Sequence, residues 1–226
     1  MRLLVWDFDG TLAFRSGLWS GTLAAVAARH RPDLSLEAAH FRPFLSAGFR
    51  WHAPERPHPV RGSAAWWSEL HPVFEWAYRE AGVHPADARA WAAEVRAEYL
   101  NLESWTAFAD ADPVLRQLSD AGWTHALLTN HVPEFGVLLD GLGLRSPFTV
   151  VVNSADTGFE KPHPEAFREV LRRVGVPERV CMIGDSPDAD VRGAQGVGWP
   201  AVLVHREWAG CPARQLTDVP GLLERL

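Results

Sequence analysis

From about residue 110 onward, short apolar runs alternate with helix-length segments, and few folds accept that order. The runs at 124–129, 148–152, 180–183 and 201–204 read as strands. Before and between them, residues 113–121, 134–141, 164–174 and 188–195 have helical spacing, with Pro164 at one start and Gly122 and Gly175 at two stops. Strands separated by helices pair in parallel through right-handed crossovers. One more apolar run, residues 2–6, opens the chain. It is cut off from the others by residues 14–107, whose spacing predicts helices over 18–30, 33–47, 63–81 and 85–102. Ser35–Ala38 offers a possible cap for the second of these, Ser63 an N-cap for the third, and Pro72 predicts a break or kink within it. Residues 50–62, with three prolines, two histidines and three arginines, read as a loop. The economical architecture is α/β, a parallel-sheet core over 1–13 and 108–226 with a helical domain, 14–107, inserted into it. Seven of the eleven tryptophans fall in the insertion, which sets it apart in composition.

A chain of 226 residues with 47% hydrophobic side chains has enough apolar material for such a core. Its net charge of −6 weighs against binding nucleic acid through overall charge. No apolar run approaches membrane-spanning length, and an acid at residue 7 argues against a signal peptide. Cys181 sits in an apolar run and Cys211 near the end of the chain, a pattern that is neither a disulfide framework nor a metal motif. The expected setting is therefore the reducing cytoplasm. No internal repeat is present, and no exposed face reads as an interface, so the oligomeric state is open.

Open parallel sheets bind ligands beyond the carboxyl ends of their strands. Asp7 and Asp9 follow the first apolar run, and Thr129 and Asn130 close the run ALLTN. Lys161 lies in the loop after Val152, and Asp185 follows CMIG. Asp7 and Asp9, two apart in an extended segment, point the same way. Carboxylates brought together repel, and one is pushed toward its neutral form unless a cation intervenes. A hard divalent ion with oxygen ligands, Mg²⁺ above all, answers that repulsion, and Lys161 adds a charge for a shared anion. Acids, a hydroxyl, a lysine and a divalent ion together make a kit for phosphoryl transfer. Each residue has a plainer reading as well. Asp-Gly is ordinary turn chemistry, Asp185 is a candidate helix N-cap beside Ser186 and Asp188, Asp190 a surface acid, Lys161 a solvated loop residue and Thr129 a β-branched strand residue.

The four segments DFDGT (7–11), LLTN (127–130), KPHPEAF (161–167) and GDSPDAD (184–190) resemble, in order and in strand context, the four motifs of the haloacid dehalogenase superfamily. The resemblance implies a Rossmann-like core with a helical C1-type cap and a Mg²⁺-dependent phosphatase acting on a small phosphorylated substrate. It implies Asp7 as nucleophile and metal ligand, and Asp9 as general acid and base that also gives a backbone carbonyl to the metal. Thr129 and the backbone of Asn130 would hold phosphate oxygens, Lys161 would balance charge, Asp185 would complete the metal shell, and Asp190 would assist indirectly. Dehalogenases of the group do without an acid two residues after the nucleophile, so Asp9 favours phosphate over carbon–halogen chemistry.

Three other functions remain open at this level: a sugar phosphomutase of the same superfamily, a non-catalytic binding protein with a vestigial site, and a 2-haloacid dehalogenase. His131 and His163 flank site residues and read as polar neighbours at the sheet edge. In the insertion, Arg50, Arg61 and Trp66 are candidates for contact with the leaving group, since arginine forks onto anions and tryptophan stacks on rings. The competing reading is a solvated loop beside a tryptophan-packed helical core.

Overall fold

Strand β1 (Arg2–Trp6) sits at the centre of the sheet, and Leu3, Leu4, Val5 and Trp6 are all buried. A computed structural model describes residues 1–60, 62–208 and 213–225, so Arg61 and Cys211 lie outside the described residues. After β1 come β2 (Ala13–Arg15), α1 (Leu18–His30), α2 (Ala38–Phe41), α3 (Ser63–Glu80), α4 (Pro85–Tyr99) and β3 (Trp105–Ala107). The chain then alternates α5 (Ala111–Asp120), β4 (Trp123–Thr129), α6 (Phe135–Gly141), β5 (Phe148–Asn153), α7 (Ser154–Thr157), α8 (Pro164–Val174) and β6 (Arg179–Gly184). It ends with α9 (Gly193–Gly196), β7 (Ala201–Leu203) and α10 (Val219–Leu223).

Five strands form one parallel sheet in the order β5-β4-β1-β6-β7. This is the α/β core that the alternation predicts. Trp6 is level with Leu127 on one side and Ile183 on the other, so the residues after all three emerge at one edge. Leu3, Val5, Ala126, Leu128, Val152 and Met182 pack with Phe167 and Val170 of α8 on one face. Leu4 and Trp6 alternate to the other face. There the Trp6 indole donates to Nδ1 of buried His125 at 2.9 Å. Burial pushes the His125 pKa down to about 4, which leaves a neutral imidazole to accept that bond.

The chain divides into two compact units, one of Met1–Phe14, Pro54–Val60 and Thr106–Leu226, the other of Arg15–Ala53 and Arg61–Trp105. The boundary differs from the sequence reading at residues 54–60, which belong to the α/β unit. The His58 N–H donates to the Gly158 carbonyl at 2.7 Å, and a Cβ on Gly158 (φ 79°) would lie 2.3 Å from the His58 oxygen. A loop held by its backbone leaves no periodic signal in sequence.

The second unit is helical. Trp19 of α1 stacks on Tyr99 of α4 at 4.1 Å, and the Tyr78 hydroxyl donates to the Leu23 carbonyl at 2.9 Å. Helix α3 runs through Pro72 without the predicted break. It buries Trp66, Trp67 and Leu70 before the proline and Phe74, Ala77 and Tyr78 after it. Each large apolar side chain contributes about 1.5–3 kcal/mol on burial, enough together to outweigh the roughly 3 kcal/mol cost of an interior proline. The helix predicted over 33–47 is instead fragmented into 3-10 turns at Pro32–Leu34 and Arg42–Leu45 around short α2. Ser35 takes a left-handed conformation (φ 49°), which ends the first turn, and the cap of α2 is Glu37.

Candidate active site

The β1 ladder continues one residue past the strand, where the Asp7 N–H donates to the Ile183 carbonyl at 2.9 Å. The backbone of the first acid is therefore fixed by the sheet. The Phe8 carbonyl then accepts from the N–H groups of Thr11, Leu12 and Ala13, which folds the next residues into a tight loop. Gly10 (φ 76°) makes that loop possible and admits a neighbour, since a Cβ there would lie 2.6 Å from Asp185 Oδ2. Gly184 plays the same part for Asp190, whose Oδ2 would lie 2.2 Å from a Cβ.

Lys161 is buried, and its ammonium spans two acids, donating to Asp7 Oδ1 at 2.6 Å and to Asp190 Oδ1 at 2.7 Å. Its backbone is clamped by Asn130, which donates to the Lys161 carbonyl at 2.9 Å and accepts from its N–H at 2.7 Å. The other Asp190 oxygen accepts from the Ser186 N–H at 3.0 Å. The Ser186 hydroxyl caps the π-helical turn Pro187–Arg192 by accepting from Ala189 N–H at 3.1 Å, so Asp185 is not needed as a cap. Asp185 is instead paired with Arg206 at 3.1 Å. Thr11 donates to Asp7 Oδ2 at 3.4 Å.

The charges do not balance. Asp7, Asp185 and Asp190 each present an oxygen within 4.8 Å of the others. Burial first, then Asp7, pushes Asp185 up to about 6. Burial also raises Asp190 to about 7, against the pull of Lys161. Asp9 is held well above the carboxylate range by burial and by Asp7 and Asp185. Burial opposes the charge on Lys161, but Asp190 and Asp7 win and hold it protonated. His131 Nε2 lies 3.7 Å from Asp9 Oδ2, yet burial lowers its pKa to about 3, so it is a neutral neighbour and not a counter-ion.

Two polar atoms here are buried and unpartnered, Asp9 Oδ1 and the Thr129 hydroxyl. A donor set of carboxylate oxygens with surplus negative charge fits a hard divalent cation.

The structure thus brings Asp7, Lys161, Asp185 and Asp190 together, with Asp9 and Thr129 at the ends of β1 and β4. The Asp9 side chain is outside the three-acid group. Asp190 is nearer than an indirect role requires, but Lys161 and Ser186 occupy both of its oxygens. The Asn130 side chain is committed to Lys161. His163 caps α8 by accepting from Glu165 N–H at 3.1 Å. Arg50 is buried within the helical unit, where its guanidinium donates to Glu69 Oε2 at 3.1 and 2.9 Å and lies over the Trp66 ring at 5.8 Å. Trp66 is itself buried. Arg50 is thus held inside that unit and not in a solvated loop, and Trp66 belongs to its aromatic core. Arg206 escaped the sequence reading because a single arginine in a loop carries no pattern.

Residues 1–198 match the family model for haloacid dehalogenase-like hydrolase. The chain belongs to this family. It is 35% identical over 184 residues to a phosphoserine phosphatase of Thermus thermophilus, covering 80% of this chain and 67% of that protein. It is 30% identical over 210 residues to haloacid dehalogenase-like hydrolase domain-containing protein 3 of Bos taurus, covering 90% and 82%. Among solved structures, the magnesium-bound putative HAD-hydrolase YfnB of Bacillus subtilis aligns with a TM-score of 0.72 at 21% identity, over 99% of this chain and 98% of that one. That likeness establishes the haloacid dehalogenase-like fold. Membership makes this chain an enzyme of a hydrolase family. Among the described residues, no helix is long and apolar enough to cross a membrane.

Proposed function

We propose that this enzyme hydrolyses small phosphomonoesters by transferring the phosphoryl group to Asp7 and then to water. The observation that carries the reading is the position of Asp7. One of its oxygens accepts a hydrogen bond from a buried lysine, and Asp185 and Asp190 each bring an oxygen within 4.8 Å of it.

In the first step an Asp7 oxygen attacks phosphorus and the ester P–O bond breaks. Asp9, whose raised pKa keeps a proton available, gives that proton to the departing alkoxide. In the second step Asp9 takes a proton from water as that water attacks the aspartyl phosphate. Inorganic phosphate leaves and Asp7 is restored. Lys161 offsets charge on Asp7 throughout, and Asp190 with Asn130 fixes where Lys161 stands. The Thr129 hydroxyl, buried and unpartnered, is a donor for a phosphate oxygen, as is the Asn130 backbone. Asp7 and Asp185, with the Asp9 backbone carbonyl, would hold Mg²⁺, which supplies charge neutralisation for the phosphoryl oxygens. The helical unit, residues 14–107 in the sequence reading, would serve as the cap that selects the leaving group. The phosphoserine phosphatase relative and the magnesium-bound neighbour support the reading.

The test is phosphate release from a panel of phosphomonoesters that includes a generic aryl phosphate. Turnover is expected with Mg²⁺, and it should fall by roughly a thousandfold or more with chelator or in Asp7→Asn. Activity that survives Asp7→Asn would mean that another group is the nucleophile.

A further inference from the structure

His131 is a histidine in a place built for apolar rings. Its side chain is buried, near a right angle to Phe8 at 5.8 Å and against Phe135 at 4.7 Å, and Phe8 and Phe135 meet each other at 4.8 Å. All three lie within the α/β unit. The backbone on either side is held as well. Asn130 is locked to Lys161 through its side chain, and the Val132 carbonyl accepts from Asn153 Nδ2 at 2.8 Å. Phe8 stands between Asp7 and Asp9 in the chain, so the ring and the second acid share one short support.

A phenylalanine would fill this space without burying a polar atom. What histidine adds is nitrogen, and Nε2 lies 3.7 Å from Asp9 Oδ2. Burial holds the imidazole neutral, so it meets Asp9 as a dipole with one N–H and one lone pair, not as a charge. At 3.7 Å the pair is longer than a hydrogen bond, and contacts of this kind at catalytic groups tighten when substrate is bound. The two Asp9 oxygens are thereby unlike. Oδ2 faces the imidazole, while Oδ1 is buried with no hydrogen-bond partner among the described residues. A carboxyl group free to turn offers its proton in several directions, whereas one with a fixed polar wall behind one oxygen offers it in one.

We propose that His131 is a positioning residue for proton transfer by Asp9, its Nε2 fixing Oδ2 so that Oδ1 carries the proton toward the leaving group. The proton passes from Oδ1 to the ester oxygen as the bond from that oxygen to phosphorus breaks, and His131 neither gains nor loses one. The proposal rests on the reading of Asp9 as proton donor and goes beyond it by naming what orients that donor.

The test varies the need for that proton. With Mg²⁺, kcat/KM, which reports formation of the aspartyl phosphate, is measured for two esters. The phenolate of 4-nitrophenyl phosphate leaves unprotonated, and the alkoxide of benzyl phosphate does not. The readout is the benzyl value divided by the nitrophenyl value, because a loss of folded enzyme or of phosphate binding lowers both and leaves the ratio unchanged. In His131→Phe, whose ring suits Phe8 and Phe135, the ratio should fall on the order of tenfold. Should that variant not fold, His131→Leu carries the same prediction. Asp9→Asn separates the proposal from the reading beneath it. There the ratio should fall about a hundredfold or more, and an unchanged ratio would remove Asp9 as the acid and the proposal with it. A ratio that falls in Asp9→Asn but stays within about twofold of wild type in the His131 variants would leave that reading standing and overturn the proposal.

Discussion

Each unit of this chain buries a cluster of charges, and the two clusters are settled in opposite ways. In the helical unit two carboxylates, Glu98 and Glu94, face two guanidiniums, Arg15 and Arg29, with Glu94 3.5 Å from Arg29. Arg15 donates to Glu98 Oε1 at 2.6 Å, the Ser104 hydroxyl lies 3.3 Å from the same oxygen, and Arg29 takes Oε2. Burial alone would raise the Glu98 pKa, but the bonds from Arg15 and Arg29 outweigh it and hold the group below the usual carboxylate range. In the α/β unit one buried lysine faces Asp7 and Asp190, with Asp185 and Asp9 beside them, and burial wins at Asp9, Asp185 and Asp190. A charge cluster whose acids and bases match in number is scaffolding. One that leaves surplus charge at a sheet edge is waiting for a cation and an anion.

The largest expected effect is on the balanced cluster. Glu98→Ala leaves Arg15 buried without its carboxylate and should cost about 3–5 kcal/mol in urea unfolding. A loss below about 1 kcal/mol, the range of an exposed pair, would remove the contrast.

In the unbalanced cluster the sign reverses. Asp185→Asn should stabilise the chelated protein at neutral pH by on the order of 1–2 kcal/mol. The linkage fixes the pH window. The folded-state pKa of Asp185 is raised to about 6, so the folded state holds this proton longer than the unfolded state does. The group's contribution is complete below the ordinary carboxylate pKa and is lost as pH rises through 6. Wild-type stability minus that of the variant should therefore decline from roughly pH 4 to 6. Buried neutral His125 and His131 destabilise both proteins as pH falls below the ordinary histidine range, and they cancel in the difference. A variant less stable than wild type in chelator at neutral pH would contradict the surplus-charge account.

Thr129→Val sharpens the comparison on an uncharged group. Its hydroxyl is buried without a partner, so removing it should raise stability by about 1 kcal/mol while phosphate release falls on the order of tenfold. Equal loss of both would make Thr129 a structural residue. The smallest effect is expected at half-exposed Arg206. Arg206→Ala should tighten Mn²⁺ binding about two- to threefold at low salt, because the guanidinium competes for Asp185. Weaker Mn²⁺ binding in that variant would reverse the assignment.

Much of the α/β unit was legible in the chain itself because its signals are local. A buried strand is a short apolar run, and a residue just past it lies at the sheet edge, so Asp7, Thr129 and Asp185 could be placed without coordinates. What was not legible depends on long-range partners. Arg15, Arg29 and Glu98 form no motif, and nothing near Arg206 marks it as the partner of Asp185. Asn130 was read for its backbone, yet its side chain turned out to clamp Lys161, a pairing across 31 positions. The fragments at 32–45 and the unbroken helix through Pro72 show local propensity overruled in both directions, by a left-handed Ser35 in one case and by aromatic packing in the other.

The most direct test of the central claim is to trap the phosphoryl group on its acceptor. The enzyme is mixed with Mg²⁺ and a generic aryl phosphate, quenched in acid during turnover, reduced with borohydride and digested for mass spectrometry. An aspartyl phosphate is reduced to homoserine, so the account predicts homoserine at position 7 and nowhere else. Unmodified Asp7 in an enzyme that is releasing phosphate, or homoserine at position 9, 185 or 190, would contradict it.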